Sequence, residues 1–289
     1  MSNIFNKIIL GSAQLGLDYG INNAKGKVSS QEVAPILRLS HDYGVSGLDT
    51  SYAYGDSELV IRDGLRDTQL DFKIISKYPR NTGRVEDVLQ KSIQRLGVSH
   101  LYGYLIHHFE FFKEQPSIWE DFKRMKEKGV VEKIGYSIYS IQELDYLLSK
   151  NISFDLIQFP FNILDRQFSP YLVDLKNNNV EIHVRSVFLQ GLFFKDLSKM
   201  EGVFYPLKKY LKKLHCYCKE NHLSVEQITL NYVLSDPNID GVLIGVDNLS
   251  QLKKNFDVVQ KGIDKESKDF IDSIFVKEKE LLNPVNWKI

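Results

Sequence analysis

Along most of the chain, short aliphatic or β-branched runs alternate with longer stretches whose apolar residues return at helical spacing. The first run, 7–13, predicts a strand. Residues 30–43 then carry Val33, Ile36, Leu37 and Leu39 at the spacing of one helix face, with Ser29 or Ser30 placed to cap it. Further strands are predicted at 47–50, 72–77, 101–107, 133–137, 155–159, 181–187 and 241–246. Helices are predicted at 57–65, 85–96, 118–128, 141–150, 169–176, 205–221, 225–234 and 250–259, with two more helical turns in 265–281. Gly97 and Gly129 close two of these helices, because glycine tolerates the left-handed conformation in which helices commonly end.

These strand-then-helix units number eight, and no Gly/Ser/Pro linker long enough to separate one domain from another interrupts them. That pattern predicts an α/β fold of the (β/α)8 TIM-barrel type, a single domain over 1–289 with a C-terminal helical tail. A doubly wound sheet is the alternative, but it would normally carry Gly-x-Gly-x-x-Gly after its first strand. Gly11-Ser-Ala-Gln-Leu-Gly16 lacks the middle glycine and is not expected to lead directly into a helix.

Composition narrows the partners. With 289 residues and 43% hydrophobic content the chain can bury a large core. Lys plus Arg and Asp plus Glu are 37 each, so no bulk charge recruits nucleic acid, and no basic face interleaved with aromatics appears. The opening Met-Ser-Asn-Ile-Phe-Asn-Lys lacks a signal-peptide pattern, and no apolar stretch approaches the roughly 18 residues of a membrane span. The expectation is a soluble cytoplasmic protein without nucleic-acid or membrane partners. Cys216 and Cys218 lie two apart in a predicted helix, which points them to different faces and favours a structural role over a disulfide. No His-Glu-x-x-His or comparable metal spacing is present.

In a barrel of this kind, chemistry gathers at the rim where strands run into helices. Asp49 and Tyr54, Lys77, and His107 follow the second, third and fourth predicted strands. A carboxylate, a phenol, an ammonium and an imidazole on one rim can form a proton-transfer relay. A phenol titrates near 10 in water, and a neighbouring ammonium would lower that value. Tyr54 then reads as general acid, Lys77 as its activator, Asp49 as the group holding Lys77, and His107 as a donor that orients a substrate carbonyl. Each has an ordinary reading taken singly: a turn Asp, a solvated Lys, a packed Tyr. Their order on successive strand ends makes the set specific.

The segments holding these residues resemble a known family. Gly-Leu-Asp-Thr-Ser-Tyr-Ala-Tyr-Gly-Asp-Ser-Glu (47–58), Ile-Ile-Ser-Lys (74–77) and Tyr-Leu-Ile-His-His (104–108) are similar to the three N-terminal motifs of the aldo-keto reductases. Gly135-Tyr-Ser-Ile138, Ile157-Gln-Phe-Pro-Phe-Asn-Ile-Leu-Asp-Arg166, Val184-Arg-Ser-Val-Phe-Leu-Gln-Gly-Leu192 and Ile244-Gly-Val-Asp-Asn-Leu-Ser-Gln-Leu-Lys-Lys-Asn255 resemble later ones, so the likeness covers nearly the whole chain.

The resemblance implies a barrel oxidoreductase that binds a nicotinamide dinucleotide in extended form, usually NADPH, with NADH possible. Hydride would pass to a carbonyl carbon while Tyr54 gives a proton to the oxygen. By position, Ser137 and Gln158 would hold the nicotinamide carboxamide. Ser186, Gly245, Asp247 and Gln251 would follow the cofactor toward its phosphate end at the start of the last barrel helix, and Asn255 would reach the adenine side.

Three positions depart from the family pattern. Ile138 stands where many members carry a carboxamide-binding Asn. Arg185 stands where an aromatic often stacks on the nicotinamide, and its planar guanidinium would stack instead or pair with an acidic substrate, stacking being the preferred reading. Asp247 would repel a 2′-phosphate while Lys253 and Lys254 would attract one. Tyr52, His108, Phe109, Phe188 and Trp287 are candidate walls of a substrate pocket, and His183 reads as a buried, hydrogen-bonded residue. The function implied is an NAD(P)H-dependent carbonyl reductase, or the reverse alcohol dehydrogenase, acting on a small aldehyde, ketone or sugar-derived carbonyl. The alternatives are an NADPH-binding regulatory subunit and an aldolase using Lys77 as a Schiff-base nucleophile.

Overall fold

The computed structural model describes residues 3–23, 25–80 and 83–287. The outermost residues of the expected 1–289 domain lie outside that set. Eight runs form parallel strands: β1 (Ile8–Gly11), β2 (Gly47–Asp49), β3 (Lys73–Tyr78), β4 (Leu101–Ile106), β5 (Val131–Ser137), β6 (Leu156–Pro160), β7 (Glu181–Arg185) and β8 (Gly241–Ile244). They pair in chain order, and β8 returns to β1 through Ile8↔Val242 and Leu10↔Ile244, closing a barrel. The helices are α1 (Ala13–Gly16), α2 (Ser30–Tyr43), α3 (Ser57–Thr68), α4 (Val85–Leu96), α5 (Phe109–Glu114), α6 (Ile118–Glu127), α7 (Ile141–Ser149), α8 (Leu172–Asn177), α9 (Lys208–Glu220), α10 (Val225–Leu234), α11 (Leu249–Val259) and α12 (Lys265–Asp272). No helix among the described residues is long and apolar enough to cross a membrane.

Because strand side chains alternate between faces, residues two apart on one strand share the barrel interior. Lys73, Ile75 and Lys77 on β3 and Glu181, His183 and Arg185 on β7 therefore contribute to successive levels of one column. The middle level is apolar, a buried cluster of Ile9, Ile75, Leu105, Leu156 and Leu243. It separates a polar level at the strand starts from another at the strand ends. Outside the barrel, the opposite faces of the same strands pack against the helices in a much larger apolar cluster.

At the strand starts, one carboxylate gathers three partners. Tyr102 Oη donates to Glu181 Oε2 at 2.6 Å, Lys133 Nζ bonds the same oxygen, and His183 Nε2 lies 2.6 Å from Oε1. This ties β4, β5 and β7 together and gives His183, 2% exposed, its hydrogen bond. Burial alone would raise the Glu181 pKa, but the bonds from His183, Lys133 and Tyr102 outweigh it and hold the carboxyl well below the usual range.

Departures from the predicted elements have local causes. Strand β7 stops at Arg185 rather than 187 because Ser186 turns to φ 61°, outside the extended region. The predicted helix 169–176 begins with a 3-10 turn, Ser169–Tyr171, and α9 begins only after another, Gly202–Leu207, which holds Pro206. Helices α1 and α5 were not foreseen: four and six residues are too short to show a helical period. The predicted 265–281 separates into α12 and a 3-10 turn at Lys279–Leu282. Gly97 takes φ 70° at the end of α4, as its place predicts.

A second apolar cluster lies between α9 and the tail, with Leu211, Leu214, Phe204, Leu282 and Trp287 among its members. The tail is fastened at the end of α12 by Arg166, just after β6. Its Nη1 donates to the carbonyls of Ile163 (2.7 Å) and Ile271 (2.8 Å), and its Nη2 to that of Ile274 (2.7 Å).

Glu181→Gln tests the lower network. A carboxyl held below its ordinary value stabilises the fold above the unfolded-state pKa, near 4.3, and that stability disappears as pH falls through the native value. We expect the variant to lose about 1–3 kcal/mol in urea unfolding at pH 7. The deficit should shrink below about pH 4.3; a deficit unchanged between pH 7 and pH ~3 would contradict this linkage.

Candidate active site

A cleft of about 510 Å³ opens where the strands end. Its floor is a buried charge pair. Lys77 Nζ donates to Asp49 Oδ1 at 2.5 Å and to the Thr50 carbonyl at 2.8 Å, with Lys77 1% and Asp49 3% exposed. The second Asp49 oxygen accepts from Gln158 Nε2 at 2.9 Å, and Ser137 Oγ donates to Gln158 Oε1 at 3.3 Å. A pair of charges removed from water is tolerated only when its remaining lone pairs and protons are satisfied, and this carboxylate is satisfied on both oxygens. Lys77 keeps one N–H to spare, and the centroid of the Tyr54 ring lies 5.3 Å from its Nζ.

The titration of Tyr54 runs opposite to the sequence expectation. Desolvation pushes its phenol well above the ordinary value, Asp49 adds to the rise, and Arg185 opposes it. Asp49 accompanies Lys77, so the phenol meets a pair rather than a bare ammonium. Lys77 itself is drawn below its ordinary value by burial, against the pull of Asp49. His107 is pushed well below its ordinary value by desolvation, with Lys77, His108 and Arg185 adding to the effect, and is a neutral imidazole at pH 7. Its ring centroid lies 5.7 Å from that of Tyr54. Ser51 Oγ accepts from the Ala53 amide at 3.2 Å and sits 3.1 Å from His107 Nδ1. The Ser51 proton is thus free to bond Nδ1, which leaves Nε2–H as a donor into the cleft.

The loop carrying Tyr54 is clamped from two sides. A Cβ on Gly16 would stand 1.9 Å from the Tyr54 carbonyl oxygen, so only glycine lets α1 approach there. Behind the loop, Glu58 is fully buried; Arg95 Nε bonds its Oε2 at 2.9 Å and Ser76 Oγ its Oε1 at 2.9 Å. Arg95 Nη2 also donates to the Gly55 carbonyl at 2.6 Å. One guanidinium therefore joins the buried carboxylate to the backbone beside Tyr54.

The far end of the cleft fits an extended dinucleotide. Gly245, Asp247, Gln251 and Asn255 line it with Ser186, as the sequence places them, and Asn248, Gln14, Glu226 and Lys254 line it as well. Asn255 is buried, yet its Nδ2 has no hydrogen-bond partner among the described residues, which leaves a donor that an acceptor on a ligand could satisfy. The start of α11 is capped by Asn248 Oδ1, which takes the Gln251 amide at 2.9 Å, and the Leu249 and Ser250 amides of that first turn are suited to an anion. Lys254 Nζ is ion-paired with Glu226 Oε1.

Not every candidate reaches the cleft. Phe188 lines it, beside Phe194 with ring centroids 5.4 Å apart. Ser137 sits behind Gln158 rather than in the lining, and acts on the cleft through that side chain. Phe109 does not wall a pocket: it lies in α5 and packs among Phe112, Tyr136 and Tyr146 outside the barrel. Trp287 does not either, because it packs edge-on against Phe204 and donates Nε1–H to the Leu281 carbonyl at 2.8 Å. Tyr52 packs on the apolar layer with the Arg95 guanidinium 5.4 Å from its ring centroid. His108 is exposed at the start of α5, its ring 5.0 Å from His107.

Residues overlooked in the sequence include Ser51, Tyr19, Tyr139 and Glu226. Ser51 lies inside the quoted Asp-Thr-Ser-Tyr run and Tyr139 directly follows Ile138, so both stood within reach. Glu226 comes from α10 and carried no local signal. Arg185 stacks on Tyr139, its guanidinium carbon 4.0 Å from the ring centroid, and Nη2 donates to the Ile138 carbonyl at 3.0 Å.

Comparison with known proteins agrees with this geometry. Residues 7–275 match the model of the aldo/keto reductase family. L-galactose dehydrogenase of Arabidopsis thaliana is 23% identical over 283 residues, covering 90% of this chain and 89% of that protein. D-arabinose 1-dehydrogenase of Saccharomyces cerevisiae is 25% identical over 291 residues, covering 88% and 84%. Among solved structures, the holo form of an aldo-keto reductase from Bacillus halodurans superposes with a TM-score of 0.72 at 19% identity, covering 94% of each chain. A thermostable aldo-keto reductase in complex with the inhibitor epalrestat gives 0.69 at 20% identity, covering 92% of this chain and 94% of that one.

Removing the guanidinium behind Tyr54 leaves Glu58 charged and buried without its ion partner. Arg95→Met should therefore cost about 3 kcal/mol or more in chemical unfolding. Adding Glu58→Gln should recover some of that loss. Simple additivity of the two changes would show that the ion pair contributes nothing of its own.

Proposed function

Since the chain belongs to the aldo/keto reductase family, and is an NAD(P)H-dependent oxidoreductase acting on small molecules, we propose that it interconverts the carbonyl and alcohol forms of a small aldehyde, ketone or sugar-derived substrate. The observation that carries this reading is the convergence of Asp49, Lys77, His107 and Tyr54 at one mouth. Sugar dehydrogenases among the relatives support the substrate range.

A nicotinamide bound along the cleft supplies hydride to the carbonyl carbon. Tyr54 gives its phenolic proton to the carbonyl oxygen, so C=O becomes CH–OH. The raised pKa of Tyr54 keeps that proton on the phenol at neutral pH, ready for an oxygen that becomes far more basic as the carbon is reduced. Neutral His107 offers Nε2–H to the same oxygen and fixes its direction. The Lys77–Asp49 pair sets the electrostatics under the phenol and supports recovery of its proton. Gln158, oriented by Asp49 and Ser137, is suited to hold the carboxamide. An aldolase role for Lys77 is disfavoured, because the bond to Asp49 favours the ammonium form, which has no lone pair for attack. A regulatory subunit would not need the four groups at the mouth. We also take 1–289 as one barrel domain with a helical tail, a reading supported by the packing of Trp287 and Leu282 with Leu211 and Leu214.

We take NADPH as the preferred cofactor, with NADH accepted. Lys254 is the ammonium available at the adenosine end, but its charge is shared with Glu226, and Asp247 stands nearby. Discrimination should therefore be small.

Tyr54→Phe should lower kcat by about 10²- to 10⁴-fold while NADPH affinity, followed by fluorescence titration, stays near that of the parent. Equal loss of both would remove the assignment of Tyr54 as acid. Glu226→Gln should release Lys254 toward a 2′-phosphate and raise the NADPH-over-NADH ratio of kcat/KM by roughly fivefold, about 1 kcal/mol. A ratio that falls or stays fixed would place the 2′ contact elsewhere.

A further inference from the structure

One cation at the mouth has no ion-pair partner among the described residues. Arg185 is half-buried in the cleft lining, among Tyr19, Tyr54, His107 and Tyr139. Among the described residues no carboxylate oxygen lies within 4.0 Å of its guanidinium. Two carboxylates act on this region without pairing with it: Asp49 is bonded to Lys77 and Gln158, and Asp165, bonded to the neutral amide of Gln167 at 3.2 and 3.3 Å, attracts Arg185 only from beyond ion-pair range. Lys77 is paired with Asp49, His107 is uncharged, and burial keeps the protons of Tyr19 and Tyr54 in place. Arg185 is therefore the cation at the mouth without a direct ion-pair partner among the described residues, Asp165 acting on it only from beyond ion-pair range.

The guanidinium is also held still. Tyr139 covers one face at 4.0 Å and the Ile138 carbonyl takes one Nη2 proton, which leaves Nε, Nη1 and the second Nη2 proton unbonded among the described residues. A fixed planar fork with spare donors matches a carboxylate in two parallel bonds. Stacking on the nicotinamide, the preferred sequence reading, fits less well, since the oxidised nicotinamide ring is itself cationic and would repel an uncompensated guanidinium.

We propose that Arg185 is a carboxylate receptor and that the substrates of this enzyme are carbonyl compounds bearing a carboxylate near the reacting carbon, such as oxo acids or aldehyde acids. This rests on the reductase reading for its turnover but not for its binding. Tyr54 and His107 take the carbonyl oxygen while Arg185 takes the carboxylate, so the substrate is oriented from two points and the guanidinium gains a direct ion-pair partner when an acidic substrate is present.

The test uses the full chain with NADPH and matched pairs: pyruvate, succinic semialdehyde and 4-carboxybenzaldehyde, each against its methyl ester. Different spacings between carbonyl and carboxylate gauge the reach of the guanidinium. We expect at least one acid to exceed its ester in kcat/KM by about 10- to 100-fold. Arg185→Met should collapse that ratio toward one, with Arg185→Lys retaining some of it. Separately, the unreactive carboxylate oxamate should bind the NADPH-loaded chain, read by cofactor fluorescence, and Arg185→Met should weaken this binding by a similar factor.

Turnover of acids and esters at equal kcat/KM overturns the receptor and leaves the reductase standing. Loss of NADPH affinity in Arg185→Met with the acid-to-ester ratio unchanged overturns it as well, returning Arg185 to the cofactor. If no carbonyl is reduced, the reductase reading fails, and oxamate decides the receptor: Arg185-dependent binding supports it, and absent or Arg185-independent binding overturns it.

Discussion

The active end of this barrel depends on one buried ion pair. An ammonium and a carboxylate with almost no solvent exposure are expensive to desolvate, and the loss is offset only when every lone pair and proton finds a partner. Lys77 and Asp49 meet that condition through Thr50 and Gln158, and Gln158 in turn engages Ser137. Four strands, β2, β3, β5 and β6, are thereby fixed relative to one another at the level where the cleft begins. Tyr54 and His107 sit above this floor, and desolvation leads their titration, with Asp49 adding to the rise of the phenol and Lys77 to the fall of the imidazole, which keeps the one protonated and the other neutral.

The cleft is electrostatically asymmetric along its length. At the end lined by α11 carboxylates predominate among the described lining residues, with Glu226 and Asp247 beside Lys254, which Glu226 already engages. At the mouth the balance reverses, because Arg185 is a cation without an ion-pair partner among the described residues. A ligand that crosses the whole cleft meets opposite signs at its two ends. The apolar level of Ile9, Ile75, Leu105, Leu156 and Leu243 isolates this arrangement from the second charged network around Glu181.

Much of this was legible in the sequence because periodicity reports burial. Strand runs buried on both faces and helices with one apolar face gave the closed (β/α)8 order, and the residues at strand ends fell on one rim for the same reason. The relay motifs were legible because their polar residues interrupt runs that would otherwise be apolar. Phe109 and Trp287 were misread because aromatic side chains are equally at home in a core: the first joined Phe112 and Tyr136, the second Phe204. The sign of the Tyr54 shift was unreadable because it turns on desolvation and on the nearness of Asp49, neither of which spacing reports. Glu226 was invisible because α10 reaches the cleft only through tertiary packing.

The grip of Arg166 has a bearing on how this barrel can change. Its guanidinium takes up carbonyls at the end of α12 that a helix terminus would otherwise leave to water or to a following segment. The last helix is therefore finished by a side chain from just beyond β6, not by the residues after it in sequence. Insertions, trims or replacements downstream of Ile274 alter what leans on α9 and Phe204, while the ring of strands and the floor beneath the substrate answer to a different set of bonds. The tail is thus a region in which sequence drift can accumulate separately from catalysis.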